Sequence, residues 1–291
     1  MIQKSPLVFY HILALVTIII WGTTFVSTKV LLQHGLDPVE IMFYRFAIAY
    51  VCILFISHKR LWADNWRDEG LFFLLGISGG SLYFIAENTA LQYTQASNVA
   101  LLVCTAPLFT ALVSHWFDKQ PLHKNTLKGG FVGLLGVALV VFNGSVLLEI
   151  NPLGDFLSLA SAAMWAFYCL ILKRLEGRYP TLYITRKVFA YGILSLLFYF
   201  VFHPLQVKAD VLSQPVVCYN LLFLGIIASM VCFFTYNIAV KHIGALRVIN
   251  YGYIQPLVTM ITSAIVLSET ITPASIVGAI FIIGGVYWAE K

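Results

Sequence analysis

Apolar residues fill this chain in long, unbroken stretches separated by short polar connections. A helix that crosses the hydrocarbon of a bilayer needs roughly 20 apolar residues. Windows of about that length pick out segments at 8–31, 39–57, 70–91, 96–116, 127–147, 153–173, 186–204, 216–240, 246–267 and 272–289. Runs such as Ile12–Ile20 and Ala279–Val286 do not alternate, which argues against the strands of a membrane barrel. Lipid offers no partner to unpaired backbone groups, so helices remain. The pattern predicts an all-α integral membrane protein with ten transmembrane helices. The first stretch is too long for a cleaved signal peptide, lacks a small-residue cleavage site and holds Trp21 and Lys29 near its end.

Composition agrees. The 291 residues are 60% apolar and 11% charged, against roughly 25% charged in an ordinary soluble domain. The net charge of +5 is not gathered into a stripe that could follow phosphates, so no nucleic-acid partner is expected. Cys52, Cys104, Cys169, Cys218 and Cys232 lie in or at the edge of apolar runs. An odd number without paired short spacing argues against a disulfide framework and against a zinc site.

Charge placement predicts orientation. With ten spans the connections fall alternately on two sides. One side gathers Lys4, Lys59, Arg60, Arg67, Lys119, Lys124, Lys128, Lys173, Arg174, Arg178, Arg186, Lys187, Lys241, Arg247 and Lys291, which is fifteen of the eighteen basic residues. The other side has Lys208, while Lys29 and Arg45 lie within spans. This bias predicts a multi-pass protein of the cytoplasmic (inner) membrane with both termini in the cytoplasm.

Shifting the chain against itself reveals a repeat. An offset of 149 residues places Leu75-Gly76-Ile77 on Leu224-Gly225-Ile226, Phe84 on Phe233, Asn88 on Asn237, Pro107-Leu108 on Pro256-Leu257, Thr110 on Thr259 and Gly136-Val137 on Gly285-Val286. An offset of 144 pairs Trp21 with Trp165 and Lys29 with Lys173. The chain thus divides into residues 1–147 and 148–291, five spans each. Five is odd, so the second unit enters the membrane inverted. Inverted repeats place a shared cavity near the midplane and open it to each side in turn.

These residues also resemble a family. Trp21-Gly22-Thr23-Thr24-Phe25-Val26-Ser27-Thr28-Lys29, Phe43-Tyr44-Arg45-Phe46-Ala47 and Ala90-Leu91-Gln92-Tyr93-Thr94-Gln95-Ala96 leading to Pro107 are similar to the EamA-type members of the drug/metabolite transporter superfamily. Leu267-Ser268-Glu269 and the closing stretch Gly278–Val286 fit the same likeness, which covers the chain in two copies. The second unit has Glu269 where the first has Gln120, with Asp118 nearby. The resemblance implies a ten-helix exporter of small metabolites.

Several residues are candidates for transport. Pro107 and Pro256 sit near the middle of spans four and nine, where each removes a backbone donor and frees a carbonyl one turn earlier. They are read as paired hinges, with a static packing kink as the alternative. Arg45 lies roughly 5 Å from the midplane of span two, and Glu87 roughly 10 Å from it in span three, at the helical rise. A charge at that depth costs at least roughly 2.5–3.5 kcal/mol unless paired or hydrated. An Arg45–Glu87 ion pair relieves both and leaves Lys29 for a carboxylate on the solute. Binding of solute and proton coupling through Glu87 are the competing uses. Trp21, Thr24, Trp165 and Tyr168 on spans one and six, and Tyr83, Asn88, Tyr236 and Asn237 on spans three and eight, complete the candidate pocket. Asn98 on span four and Asn250 and Tyr253 on span nine join them. For the amides the rival is helix-to-helix hydrogen bonding; for the aromatics it is packing. Gly129, Gly133, Gly278, Gly284 and Gly285 give spans five and ten smooth faces, for close packing within one bundle or for a weak homodimer.

The scattered histidines form no two-histidine helix motif, and no Walker A sequence is present, so neither an enzyme nor direct ATP drive is expected. The reading is a secondary transporter, working without a cofactor, that exports a small amino-acid-like or related organic metabolite by alternating access. An exchanger of phosphorylated solutes and a passive channel are its rivals.

Overall fold

A computed structural model describes residues 5–58, 60–93, 96–121, 124–142, 151–267 and 273–289. Among them the chain is helical and no strand forms. Six helices are long and apolar enough to cross a membrane: α1 (Ser5–Gln33, apolar from Leu7), α2 (Pro38–Ile56), α3 (Trp66–Tyr93), α6 (Pro152–Leu175), α7 (Thr181–Phe202) and α8 (Pro215–Ile243). Between and after them lie α4, broken into Ala96–Val103 and Ala106–Asp118, and α5 (Lys124–Phe142). The last two are α9, broken into Ala245–Asn250, the 3₁₀ turn Tyr251–Ile254 and Gln255–Leu267, and α10 (Pro273–Ala289). Each coincides with one of the apolar segments to within a few residues.

The helix ends follow local chemistry. Asp37 caps α2 in a capping box with Glu40, and Pro38 supplies the first turn with a residue that has no N–H to satisfy. Asn65 and Asn151 accept from the first-turn amides of α3 and α6. Gly35 and Gly244 follow α1 and α8 at φ +88°, a conformation open to glycine at no steric cost.

Contacts between helix ends show which ends lie together. The start of α1 meets the end of α8 and the start of α9, through stacking of Tyr10 on His242 and a 2.7 Å hydrogen bond between His11 and Tyr251. The ends of α4 and α6 meet through Lys173 and Asp118 at 2.7 Å. At the other pole, Asn151 donates to the Tyr93 carbonyl, and Glu40 accepts from the backbone of Gln206 and Val207. The first pole carries most of the basic residues and is called the basic end below.

Packing does not follow the order of the chain. Helix α3 packs on α6 and α7, and α6 on α4; α8 packs on α1 and α2, and α1 on α9, while α2 also packs on α3 and α7 across the divide. Each group takes helices from both sequence units, so α3, α4, α6 and α7 form one bundle, and α1, α2, α8 and α9 the other. Helices α5 and α10 pack face to face through their glycines. A side chain on Gly285 would stand 2.5 Å from the Gly133 nitrogen, and one on Gly136 would stand 2.6 Å from the Gly278 carbonyl. The smooth faces are therefore used inside the chain.

Irregular turns recur in register. Helix α3 widens to a π-helix over Ile77–Leu82 and α8 over Phe223–Val231. The repeat offset of 149 carries the first onto residues 226–231, inside the second. Helix α4 breaks at Cys104–Thr105, one offset from the 3₁₀ turn of α9. Pro107 and Pro256 each open the regular helix that follows, so both candidate hinges stand at discontinuities.

Candidate functional site

Between the two bundles lies a narrow cavity. Trp21, Phe84, Trp165 and Tyr236 wall it with rings, while Arg45, Tyr83 and Glu87 bring polar groups. The rings pack edge to face: Trp21 and Trp165 are perpendicular at 5.3 Å between centroids, an arrangement their quadrupoles favour. Trp21 donates its indole N–H to the Ala228 carbonyl at 2.8 Å, and Trp165 donates to the Tyr236 hydroxyl at 3.1 Å. Both wide turns adjoin this region. Gly79 lies against Tyr168, and Gly225 lies against Ile48 and the Arg45 carbonyl, where a side chain would prevent the approach.

Arg45 is 1% exposed. Its guanidinium lies over the Phe84 ring at 4.1 Å, and its Nε donates to Ser229 Oγ at 3.0 Å. The expected Arg45–Glu87 ion pair is not formed among the described residues. Ring stacking and Ser229 hold the guanidinium instead, and Glu87 stays on the wall in electrostatic reach of both Arg45 and Tyr83. The cavity therefore presents one cation and one carboxyl group, unpaired to each other. Ser229 was invisible to hydropathy, since a serine on an apolar helix carries no signal of the charge it meets.

Of the other candidates, Trp21, Thr24, Tyr83, Trp165 and Tyr236 line the cavity, as does Pro107. Lys29 does not; its Nζ donates to the Leu91 carbonyl at 2.8 Å. Asn88 donates to the Pro38 carbonyl at 3.1 Å, and Asn237 is held between Tyr168 and Thr185, so both amides make helix-to-helix bonds. Tyr253 is fully buried against α5 at Gly133, and buried Asn250 is engaged within the fold. The side chain of Asn98 lies outside the described residues, as do Lys4, Lys59, Glu269 and Lys291.

Toward the basic end lies a buried trio of hydrogen-bonded side chains. One turn beyond Trp165, the Tyr168 hydroxyl donates to Asn237 Oδ1 at 2.6 Å, and Asn237 Nδ2 donates to Thr185 Oγ1 at 3.0 Å. All three are 0% exposed. Tyr168 and Thr185 belong to one bundle and Asn237 to the other, so these bonds cross between them.

Nearer the basic end, charges that in the sequence served only to mark orientation are paired with buried carboxylates, Lys187 itself buried and Arg178 half exposed. Asp68 accepts from Arg178 and, at 2.6 Å, from the Tyr179 hydroxyl; Glu69 accepts from Lys187 and Tyr191. Burial and the Asp68 carboxylate raise the Tyr179 phenol above its usual range. Beside them, burial pushes the Glu176 carboxyl up to about 7, against the opposing pull of Lys241.

Among the described residues no cluster of His, Cys, Asp or Glu could hold a metal ion. The EamA-like transporter family matches residues 8–142 and again residues 152–289. An uncharacterized transporter of Archaeoglobus fulgidus is 29% identical over 286 residues, covering 95% of this chain and 96% of that protein. Probable amino-acid metabolite efflux pumps of Salmonella typhimurium and Escherichia coli are 25% and 23% identical, covering 94% and 95% of this chain and 92% and 93% of theirs. A crystal structure 19% identical superposes with a TM-score of 0.76 over 99% of this chain and 97% of that one, a likeness of fold.

Proposed function

The chain belongs to the EamA-like transporter family, a multi-pass membrane transporter rather than an enzyme, and from that premise we propose that it exports an amino-acid-like metabolite by alternating access. Its ten spans form two inverted units of five, with both termini in the cytoplasm and the basic end facing it. The observation that carries this reading is the ring-walled cavity between swapped bundles, with Arg45 and Glu87 on its wall and a hydrogen-bonded trio, read as a seal, toward the basic end. Arg45 receives the solute carboxylate, Glu87 faces its ammonium group or takes a proton, and the rings hold an apolar body. The amino-acid metabolite efflux pumps among the relatives support the same solute class. A phosphorylated solute calls for several converging cations, and Arg45 is the one cation among the described lining residues.

The test is flux in proteoliposomes with a panel of amino acids, purines and sugar phosphates, with and without a pH gradient. Arg45→Ala is expected to abolish amino-acid flux at normal protein abundance. Undiminished flux in that variant overturns the binding role. Flux that never saturates points to a channel. In Glu87→Gln, stimulation by a pH gradient disappears when Glu87 couples the proton and persists when it does not.

A further inference from the structure

The two copies of the repeat are not in the same state, and the difference exposes a second seal. At the offset of 149, Asn237 corresponds to Asn88; at the offset of 144 that pairs Trp165 with Trp21, Tyr168 corresponds to Thr24. Asn237 has every polar atom engaged, receiving Tyr168 on Oδ1 and giving Nδ2 to Thr185. Asn88 is equally buried, at 0% exposure, and gives its Nδ2 to the Pro38 carbonyl, yet its Oδ1 has no partner. The hydroxyl of Thr24, 7% exposed on the cavity wall, is turned back on its own helix to the Trp21 carbonyl at 2.7 Å.

A buried amide oxygen without a donor is costly, and a fold with inverted symmetry has a reason to keep one. We propose that Thr24 and Asn88 form the alternate seal at the pole away from the basic end, made when the Tyr168–Asn237 seal breaks. This rests on the alternating-access reading above. Thr24 is on α1 and Asn88 on α3, which belong to different bundles, as do Tyr168 and Asn237. Rocking that parts α6 from α8 at the basic end brings α1 toward α3 at the other. Rotation of Thr24 about χ1 then moves its hydroxyl from Trp21 to Asn88 Oδ1. Threonine is much shorter than tyrosine, so the helices must approach more closely there than α6 and α8 do here. Neither residue needs to touch the solute: both are positioning residues, and the lone oxygen of Asn88 marks the state in which the protein is held.

The full-length chain, with its five native cysteines replaced and its flux checked, tests this in liposomes without any ligand. The pair Thr24→Cys with Asn88→Cys is oxidised, and the rate of disulfide formation is measured with Tyr168 present and with Tyr168→Phe. Removing one hydroxyl from the resting seal is expected to speed the Thr24–Asn88 cross-link about tenfold. The pair Tyr168→Cys with Asn237→Cys is expected to cross-link at rest and to stop flux until reduced. Thr185→Val, which leaves Asn237 Nδ2 without its acceptor, repeats the first comparison should Tyr168→Phe not fold. A Thr24–Asn88 rate unchanged or slowed in the folded variants overturns the proposal. Absence of amino-acid flux from the unsubstituted protein counts instead against the solute class. Rapid cross-linking of both pairs at rest shows that the two seals coexist, and sinks the exchange.

Discussion

The tightest surroundings of any described glycine give the sharpest prediction. A β-carbon on Gly79 would stand 2.0 Å from Tyr168 Cδ2 and 2.4 Å from Cγ, whereas non-bonded carbons rest at about 3.5–4.0 Å. The Tyr168 ring must therefore retreat by roughly 1.5 Å in Gly79→Ala, by that contact distance. Its hydroxyl is 2.6 Å from Asn237 Oδ1, and a retreat of that size ends the hydrogen bond. Overpacking of this kind costs about 1–3 kcal/mol, and the lost bond about 0.5–1.5 kcal/mol more. The sum, about 2–4 kcal/mol, is large against a marginal total stability. At Gly70, on the same helix, an added β-carbon would meet nothing within 4 Å, and Gly70→Ala is expected to raise stability by about 0.5–1 kcal/mol through helix propensity. Thermal midpoints of the two purified variants, compared with the parent, should move in opposite directions. Equal midpoints for Gly79→Ala and Gly70→Ala would refute the packing argument.

Other expectations follow from the same geometry. Lys187→Met strands the buried Glu69 carboxylate with its hydroxyl and amide donors alone; it should cost about 3–5 kcal/mol, read as lost abundance and midpoint, and Glu69→Gln in the same chain should restore much of it. Gly285→Leu drives a side chain into the backbone of α5 at Gly133 and should lower the midpoint, while Gly284→Leu, with nothing within 4 Å, should leave it unchanged. Glu176 titrates at about 7 when folded, against an ordinary 4.5. The folded state therefore binds the proton more tightly, and stability falls as pH rises through that window. In Glu176→Gln the difference between midpoints at pH 5 and pH 8 should shrink; an unaltered difference removes Glu176 as its source.

How far the sequence reaches depends on what hydropathy can encode. Run length located the six long apolar helices, because lipid demands length above all else, but not the short helix Ala209–Leu212 outside them. The same signal could not show that α3 and α8 widen at Ile77–Leu82 and Phe223–Val231, since a π-turn and an α-turn bury the same residues. It also could not reveal that the bundles exchange helices between the sequence units. That partition depends on which faces meet, and faces that are apolar all round carry no moment to read. Among the candidates that line the cavity, Arg45, Glu87, Trp21, Trp165, Tyr83 and Tyr236 were legible because charge or a large ring inside a span is unusual. Lys29, Asn88 and Asn237 were equally conspicuous but donate to backbone and to neighbouring helices rather than into the cavity. Depth along a span can be read from the sequence, and rotation about its axis cannot.

The distribution of bonds also bears on what a solute must do. Within each bundle the ties are strong: Asp68 with Arg178 and Glu69 with Lys187 in one, and Ser27 with Asn220 at 2.6 Å in the other. Between bundles the described polar ties include Tyr168 and Thr185 to Asn237, Trp165 to Tyr236, Asn88 to Pro38 and Arg186 to the Ser57 carbonyl. At about 0.5–1.5 kcal/mol each, the few that part at one pole amount to a few kcal/mol, offset by those made at the other. A ligand shifts such an equilibrium only by its difference in affinity for the two states. Rings from both bundles contribute area to the solute in each state, but a carboxylate on buried Arg45 adds about 1.5–3 kcal/mol that depends on the state, because Ser229 and Phe84, which hold the guanidinium, lie in opposite bundles. In the proposed mechanism the charged end of the solute therefore drives turnover and the rings supply residence. An uncharged aromatic such as indole should occupy the cavity and slow amino-acid flux competitively without being carried; protein-dependent crossing, above that of protein-free liposomes and as fast as that of tryptophan, would show that Arg45 contributes nothing to the conformational step.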